Sequence, residues 1–249
     1  MNSALVSCAK WGLVSLVLGG LLASVAQGQT GAKVFTNIDD NNAGWGSCGS
    51  TSCAGGEPAA DAFWIAQFQT SPSKDGNSTQ FYVSASQPYS DVLFWNKLGP
   101  QDWATHFTWD FWIYLEDASQ SAENLEYDLF QYEGGVEYMF GTQCSYSGGY
   151  WDVWNQSTHH WIPTALPCKK FTSKVWHHIV WQFHRTSDGL MHFDSLALDG
   201  VQHAMNYSEP SGPLPSGWTH NLGVQWQLDT GSRALTLSEW VDSVKLTIQ

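Results

Sequence analysis

"NLEYDLFQYEGGVEYMFGTQC", residues 124–144, is the stretch on which the fold turns. Two alternating runs flank Gly134-Gly135. Strand side chains point to opposite faces with a period of two. Asn124, Glu126, Asp128, Phe130 and Tyr132 therefore share one face, and Leu125, Tyr127 and Leu129 the other. The paired glycines supply the positive φ that a two-residue hairpin turn requires. A turn at that point sets Glu126 opposite Gln143 and Asp128 opposite Gly141. A slip of one residue would exchange the faces. The stretch thus predicts a hairpin with an apolar face toward a core. Its other face carries a polar cluster of Glu126, Asp128 and Gln143, with Glu137 further along.

The same alternation recurs along the chain, in "TQFYVSA", "DVLFWNKL", "HFTWDFWIYL", "YWDVWN", "WHHIVWQFHR", "LMHFDSLALDG", "HNLGVQWQLD" and "WVDSVKLTI". Helical periodicity is nearly absent. About ten short strands separated by Gly, Asn, Asp, Ser and Pro predict an all-β, two-sheet antiparallel sandwich. No repeat or low-complexity linker divides the 249 residues, so residues 29–249 are expected to form a single domain. Residues 1–28 are set apart as a signal peptide. "WGLVSLVLGGLL" is a short apolar run, and "ASVAQGQ" offers small residues for cleavage after Ala26 or Gly28. The mature protein is expected to be secreted or periplasmic, with no membrane insertion.

Removing Cys8 leaves Cys48, Cys53, Cys144 and Cys168, an even number, as disulfide formation after export would give. Sequence proximity favours Cys48 with Cys53 and Cys144 with Cys168. Lys and Arg number 10 against 23 Asp and Glu, a net charge of −13. That balance repels nucleic acid and argues against an acidic polysaccharide. A neutral glycan fits better. There are 15 Trp residues, more than core packing alone demands, and indole rings also stack on the apolar faces of sugars.

"KVWHHIVWQFHRTSDGLMHFDSLALDGVQHAMN" resembles the central region of concanavalin A-like, LamG-type jelly rolls, and "SEWVDSVKLTI" their closing strand. The resemblance implies a jelly-roll sandwich with a concave face, as in lectins and glucanases. That fold hosts binding modules, hydrolases and lyases, so the function must come from the site. Laminarinase-type hydrolases of this superfamily carry Glu-x-Asp-x-Glu on such a strand. Centred on Glu126 this chain offers Asn124, Glu126 and Asp128; centred on Asp128 it offers Glu126, Asp128 and Phe130. One terminal carboxylate is missing either way. The leading reading is a lectin-like, carbohydrate-binding protein for a neutral polysaccharide or oligosaccharide. The alternative is a glycoside hydrolase of β-glucan-like chains with Glu126 and Asp128 as its catalytic pair. A polysaccharide lyase is a weaker reading. Gln182 and His184 match a lyase Gln-x-His spacing, but the accompanying arginine-rich strand is missing. A non-carbohydrate surface interaction protein is a further alternative.

Two more sites follow. "YWDVWNQSTHHWIP" places Asp152 and Trp154 on one face and Trp151 on the other, an aromatic platform beside a hydrogen-bonding acid. Glu126, Asp128, Gln143, Asp152 and Trp154 are therefore the candidate sugar contacts. "NIDDNNAGW" near the start and Asp242 on the last strand bring hard oxygen donors from the two ends of the domain. Asp39, Asp40 and Asp242 are candidate ligands of a structural calcium ion.

Overall fold

The computed structural model describes residues 31–40, 44–49, 53 and 58–249. The proposed signal peptide lies outside these residues. In chain order the strands are β1 (Lys33–Phe35), β2 (Trp45–Cys48), β3 (Ala62–Gln69), β4 (Ser78–Ala85), β5 (Asp91–Lys97), β6 (His106–Leu115), β7 (Asn124–Glu133) and β8 (Val136–Ser145). They continue as β9 (Tyr150–Asn155), β10 (His160–Pro167), β11 (Trp176–Arg185), β12 (Leu190–Leu198), β13 (Val201–Pro210), β14 (Gly212–Pro213), β15 (Asn221–Asp229) and β16 (Leu235–Ile248). They form two antiparallel sheets. One runs β13-β12-β11-β6-β16-β4-β3, with β1 on β16; the other runs β10-β9-β8-β7-β15-β5-β2, with β14 on β8.

The expected two-sheet sandwich is the observed architecture. Its core is the apolar half of each alternating run. Trp109, Trp181, Trp226 and Trp151 are almost fully buried between the sheets, beside Phe81, Phe94, Phe111 and Tyr127. Trp226 sits edge-on to Trp109 and Phe111, with ring centres 5.0 and 5.5 Å away. Such edge-to-face pairs suit the ring quadrupole and add to the area buried.

The opening hairpin has the register its turn predicts. Gly134 and Gly135 take φ of 59° and 82°, as a two-residue type I′ turn needs. Glu126 pairs with Gln143 and Asp128 with Gly141. Two disulfides join Cys48 to Cys53 and Cys144 to Cys168, with Cα separations of 6.2 and 5.6 Å. Both separations lie within the span a disulfide can bridge. Among the described residues no helix is long and apolar enough to cross a membrane.

Candidate functional site

The outer face of the β10–β2 sheet is concave. Cavities of about 430, 380 and 240 Å³ lie along it. The first two share Leu93, Tyr132, Trp218 and Gln225; the second and third share Asp91, Glu126, Trp161 and Gln227. Together they form one groove.

A single row of cross-strand neighbours sets its section. Trp161 on β10 faces Trp154 on β9, which lies against Gly141 on β8. Gly141 faces Asp128 on β7, Asp128 faces Gln225 on β15, Gln225 faces Trp95 on β5, and Trp95 faces Gly46 on β2. Indole rings therefore stand at both flanks with a polar floor between them. Four strand intervals separate Trp154 from Trp95, roughly 19 Å at about 4.8 Å per interval.

Glycine on the floor is what lets the rings lie down. A Cβ at Gly141 would stand 2.6 Å from the Trp154 Cβ, and one at Gly46 would stand 2.6 Å from the Trp95 ring. At Gly223 it would meet Phe130 Cζ at 2.2 Å and the Asn96 backbone oxygen at 2.5 Å. Three aromatic residues thus cover three glycines on one face. Trp154 is also held by its indole N–H, which donates to Gln156 Oε1 at 2.6 Å. Gln156 Nε2 in turn donates to Glu137 Oε2 at 2.6 Å. Glu137 positions the platform through Gln156, and burial raises its carboxyl to about 7. Trp218, half-exposed on the loop before β15, leans edge-on over Tyr132 with centres 5.0 Å apart.

Glu126 and Asp128 lie in the floor, 7% and 2% exposed. Asp128 Oδ1 accepts the Thr142 backbone N–H at 3.0 Å, and its Oδ2 accepts Gln225 Nε2 at 2.7 Å. Burial raises Asp128 to about 6, although hydrogen bonds from Glu126, Thr142 and Gln225 favour its charged form. Glu126 is held well above the usual carboxylate range, first by burial, then by the Asp128 charge and its hydrogen bond with Asp128. Asp229 and Asp91 add to that shift.

A laminarinase-type Glu-x-Asp-x-Glu strand would place three carboxyls on this face; β7 supplies two, Glu126 and Asp128, with Asn124 and Phe130 on either side.

The other predicted residues divide. Trp154 lines the groove. Gln143 and Asp152 share its face but line none of the three cavities; they bond to each other, Gln143 Nε2 donating to Asp152 Oδ2 at 2.8 Å. Burial raises Asp152, while the Gln143 bond opposes the shift. Trp151 points into the core. Gln182 and His184 lie on the outer face of the opposite sheet, bonded to Ser195 and Asp194. They are far from any groove acid in the topology.

The alternation alone did not single out Asp91, Leu93, Trp95, Gln225, Gln227, Asp229 and Trp218. "DVLFWNKL" and "HNLGVQWQLD" fix which of their residues share a face, but not that β15 and β5 lie beside β7.

The calcium candidates meet partway. Asp39 is 1% exposed; its Oδ1 accepts the Val244 N–H at 2.9 Å, and its Oδ2 is buried without a partner. Asp40 Oδ1 is likewise buried without a partner. Burial, followed by the Asp40 and Asp242 charges, raises Asp39 to about 7 against the Val244 bond. Asp242 is already engaged: Oδ2 accepts the Lys74 N–H at 2.6 Å and Ser73 Oγ at 3.1 Å, and Oδ1 accepts Ser243 Oγ at 2.7 Å. Among the described residues no group of three or more His, Cys, Asp or Glu is placed to hold a metal ion. Asp39 Oδ2 and Asp40 Oδ1 are buried acceptors without a partner, and Asp242 does not complete a ligand set with them.

No protein-family model matches the sequence, and no curated protein matches it. Solved structures resemble the chain. A protein described as "Cellulose induced protein, Cip1" is 14% identical over 83% of this chain and 92% of its own, with a TM-score of 0.51. A family 11 carbohydrate-binding module from Clostridium thermocellum, in complex with a β-1,3-1,4-mixed-linked tetrasaccharide, is 14% identical over 86% of this chain and 94% of its own, with a TM-score of 0.42. Lectin II from Ulex europaeus is 10% identical over 76% of this chain and 99% of its own, with a TM-score of 0.43. At 14% identity the likeness to the first is one of fold alone.

Proposed function

We propose that this chain is an exported, lectin-like protein whose groove binds a glycan without acidic groups and does not cleave it. The observation that carries the reading is the cross-strand row of Trp161, Trp154, Asp128, Gln225 and Trp95. Rings at the flanks offer apolar faces, and fixed amides and carboxyls between them offer hydrogen bonds. Specific small-molecule sites have that composition. Acids outnumber the two basic side chains that line the groove, Lys97 and His159, which disfavours carboxylated or sulfated chains. The neutral glycan and the concanavalin A-like placement belong to this reading, as does export, which the two disulfides and the apolar leader favour.

Incubating the protein with a panel of polysaccharides tests it, with retention and new reducing ends both measured. Bound and uncut glycan is the expected result. Trp154→Ala and Trp95→Ala should each weaken retention. New reducing ends, lost in Glu126→Gln, would establish the hydrolase instead. A structural calcium ion at Asp39 Oδ2 and Asp40 Oδ1 is a second proposal, independent of the groove.

A further inference from the structure

The groove does not stop at Asp229. A further cavity of about 360 Å³ opens beyond it, lined in part by Tyr89, Glu123, Tyr146, Ser147, Lys170 and Ser232. It shares Tyr89 and Glu123 with the cavity of about 240 Å³ at that end of the groove. The groove follows β5 over its seven residues, from Lys97 to Asp91, roughly 20 Å at about 3.4 Å rise per residue. Tyr89 lies past the end of that run.

Backbone hydrogen bonds fix the walls of this cavity. Tyr89 N–H donates to Gly231 O at 2.6 Å, Glu123 N–H to Asp229 O at 3.1 Å, and Tyr146 N–H to Glu123 O at 3.0 Å. Ser90 N–H donates to Thr230 Oγ1 at 3.0 Å, and Thr230 N–H donates to Ser90 O at 3.0 Å. Three loops are thus laced together at the end of the sheet. Gly231 belongs to that lacing, because a Cβ there would stand 3.0 Å from the Glu123 Cβ. Walls formed before the ligand arrives suit a binding site.

Tyr89 is the unusual residue. Its φ is 59°, and it is 48% exposed. A bulky side chain takes the left-handed conformation only where its surroundings impose it. Here the bonds to Gly231 and Thr230 impose it, and the ring stands between two cavities instead of in the core. Among the described residues Phe68 is the other Phe, Tyr or Trp held this way; it lies where β3 bulges against β4, in the opposite sheet. The lining around Tyr89 has both bonding senses. Ser147 and Ser232 donate and accept, Lys170 donates and Glu123 accepts. Lys170 also donates to the Gln120 backbone oxygen and lies 5.4 Å from the centre of the Tyr146 ring, which ties it to the wall.

We propose that Tyr89 carries a further sugar subsite, and that the ligand is a chain long enough to run past Asp229 into this cavity. This rests on the glycan-binding reading and narrows it from any neutral saccharide to an extended polysaccharide chain. Trp161 lines the second and third cavities and Tyr89 the third and fourth, so successive rings mark one path. A phenol ring offers an apolar face to a sugar ring and a polar tip to its hydroxyls. Sugar hydroxyls donate and accept, as the serines, Lys170 and Glu123 require.

Calorimetric titration of the whole protein tests this. The probe is the polysaccharide that the parent retains from hydroxyethylcellulose, mixed-linkage β-glucan, glucomannan and xylan, with the trimer and octamer cut from it. The octamer should bind the parent at least tenfold more tightly than the trimer. Tyr89→Gly should reduce that ratio about tenfold. Tyr89→Phe, which keeps the ring, should hold it within threefold of the parent. Glycine relieves the strain at φ, which offsets its looser unfolded chain, so Tyr89→Gly should melt close to the parent. Trp154→Ala should weaken trimer and octamer alike. An unchanged octamer-to-trimer ratio in Tyr89→Gly would overturn the subsite and leave the groove reading standing. A melting temperature of Tyr89→Gly well below the parent's would make the ring a prop for its loop and overturn the subsite too. If the parent retains none of the polysaccharides, or Trp154→Ala binds both oligomers as the parent does, the groove reading falls and the subsite with it.

Discussion

Glu239 is the buried acid whose removal should change the protein's response to pH. It lies on β16 between Phe81 and Leu115, with no exposed surface. Its carboxyl neighbours the Tyr127 hydroxyl, but neither group completes a full hydrogen bond there. Burial raises it from 4.5 to about 8, with Tyr127 partly opposing. Below pH 4.5 the group is neutral in both folded and unfolded chains, and its titration contributes nothing. Between 4.5 and 8 the unfolded chain releases the proton while the folded chain keeps it. Stability therefore falls as pH rises, by at most about 1.4 kcal/mol per pH unit. The window spans about 3.5 units, so the loss reaches about 5 kcal/mol and then levels off above pH 8. Glu239→Gln keeps the size and removes the titration. Denaturant unfolding of both proteins from pH 4 to 9 measures the difference. The variant should be close to the parent at pH 4 and gain several kcal/mol on it by pH 8. Parallel stability curves would show that the carboxyl is ionised, or solvated, in the folded protein.

Gly223→Ala should destabilise by about 1–3 kcal/mol, because the Asn96 backbone oxygen cannot give way as a side chain might. A higher melting temperature would refute the close approach of Phe130. Replacing Cys144 and Cys168 together with Ala opens a loop with a sequence separation of 24 and should cost about 3.5 kcal/mol by the chain-entropy relation; unchanged unfolding would count against the bridge. A chelator should lower the melting temperature of the parent but not of Asp39→Asn, since an ion bound only to the folded state stabilises it by mass action. Identical melting with and without chelator would end the calcium proposal. Glu126→Gln should weaken glycan binding by about 1–3 kcal/mol, the scale of a buried polar group left without its partner, as read by titration.

Much of the hairpin was legible because its information is local. Alternation put Leu125 and Tyr127 inside and Glu126 and Asp128 outside, and Gly134-Gly135 fixed the register. The row of sugar-contact candidates was legible only in part. Trp154 lines the groove, whereas Gln143 and Asp152 share its face but turn to each other. Asp242 was chosen as a charge inside an apolar run, yet its oxygens are taken by Ser73, Lys74 and Ser243. A polar residue in a strand shows that something must satisfy it, and the sequence does not say what.

Which side of each strand is apolar, where the hairpin turns, that cysteines could pair and that the surface is acidic can all be read along the chain. Each follows from neighbours in the chain or from a simple count. That β15 and β5 lie beside β7 emerges only from the packed sandwich. That placement brings Gln225, Gln227 and Asp229 to Glu126 and Asp128, and closes the groove with Trp95. Strand pairing over long sequence separations is set by packing two sheets around one core, and no local pattern encodes which outer faces will adjoin.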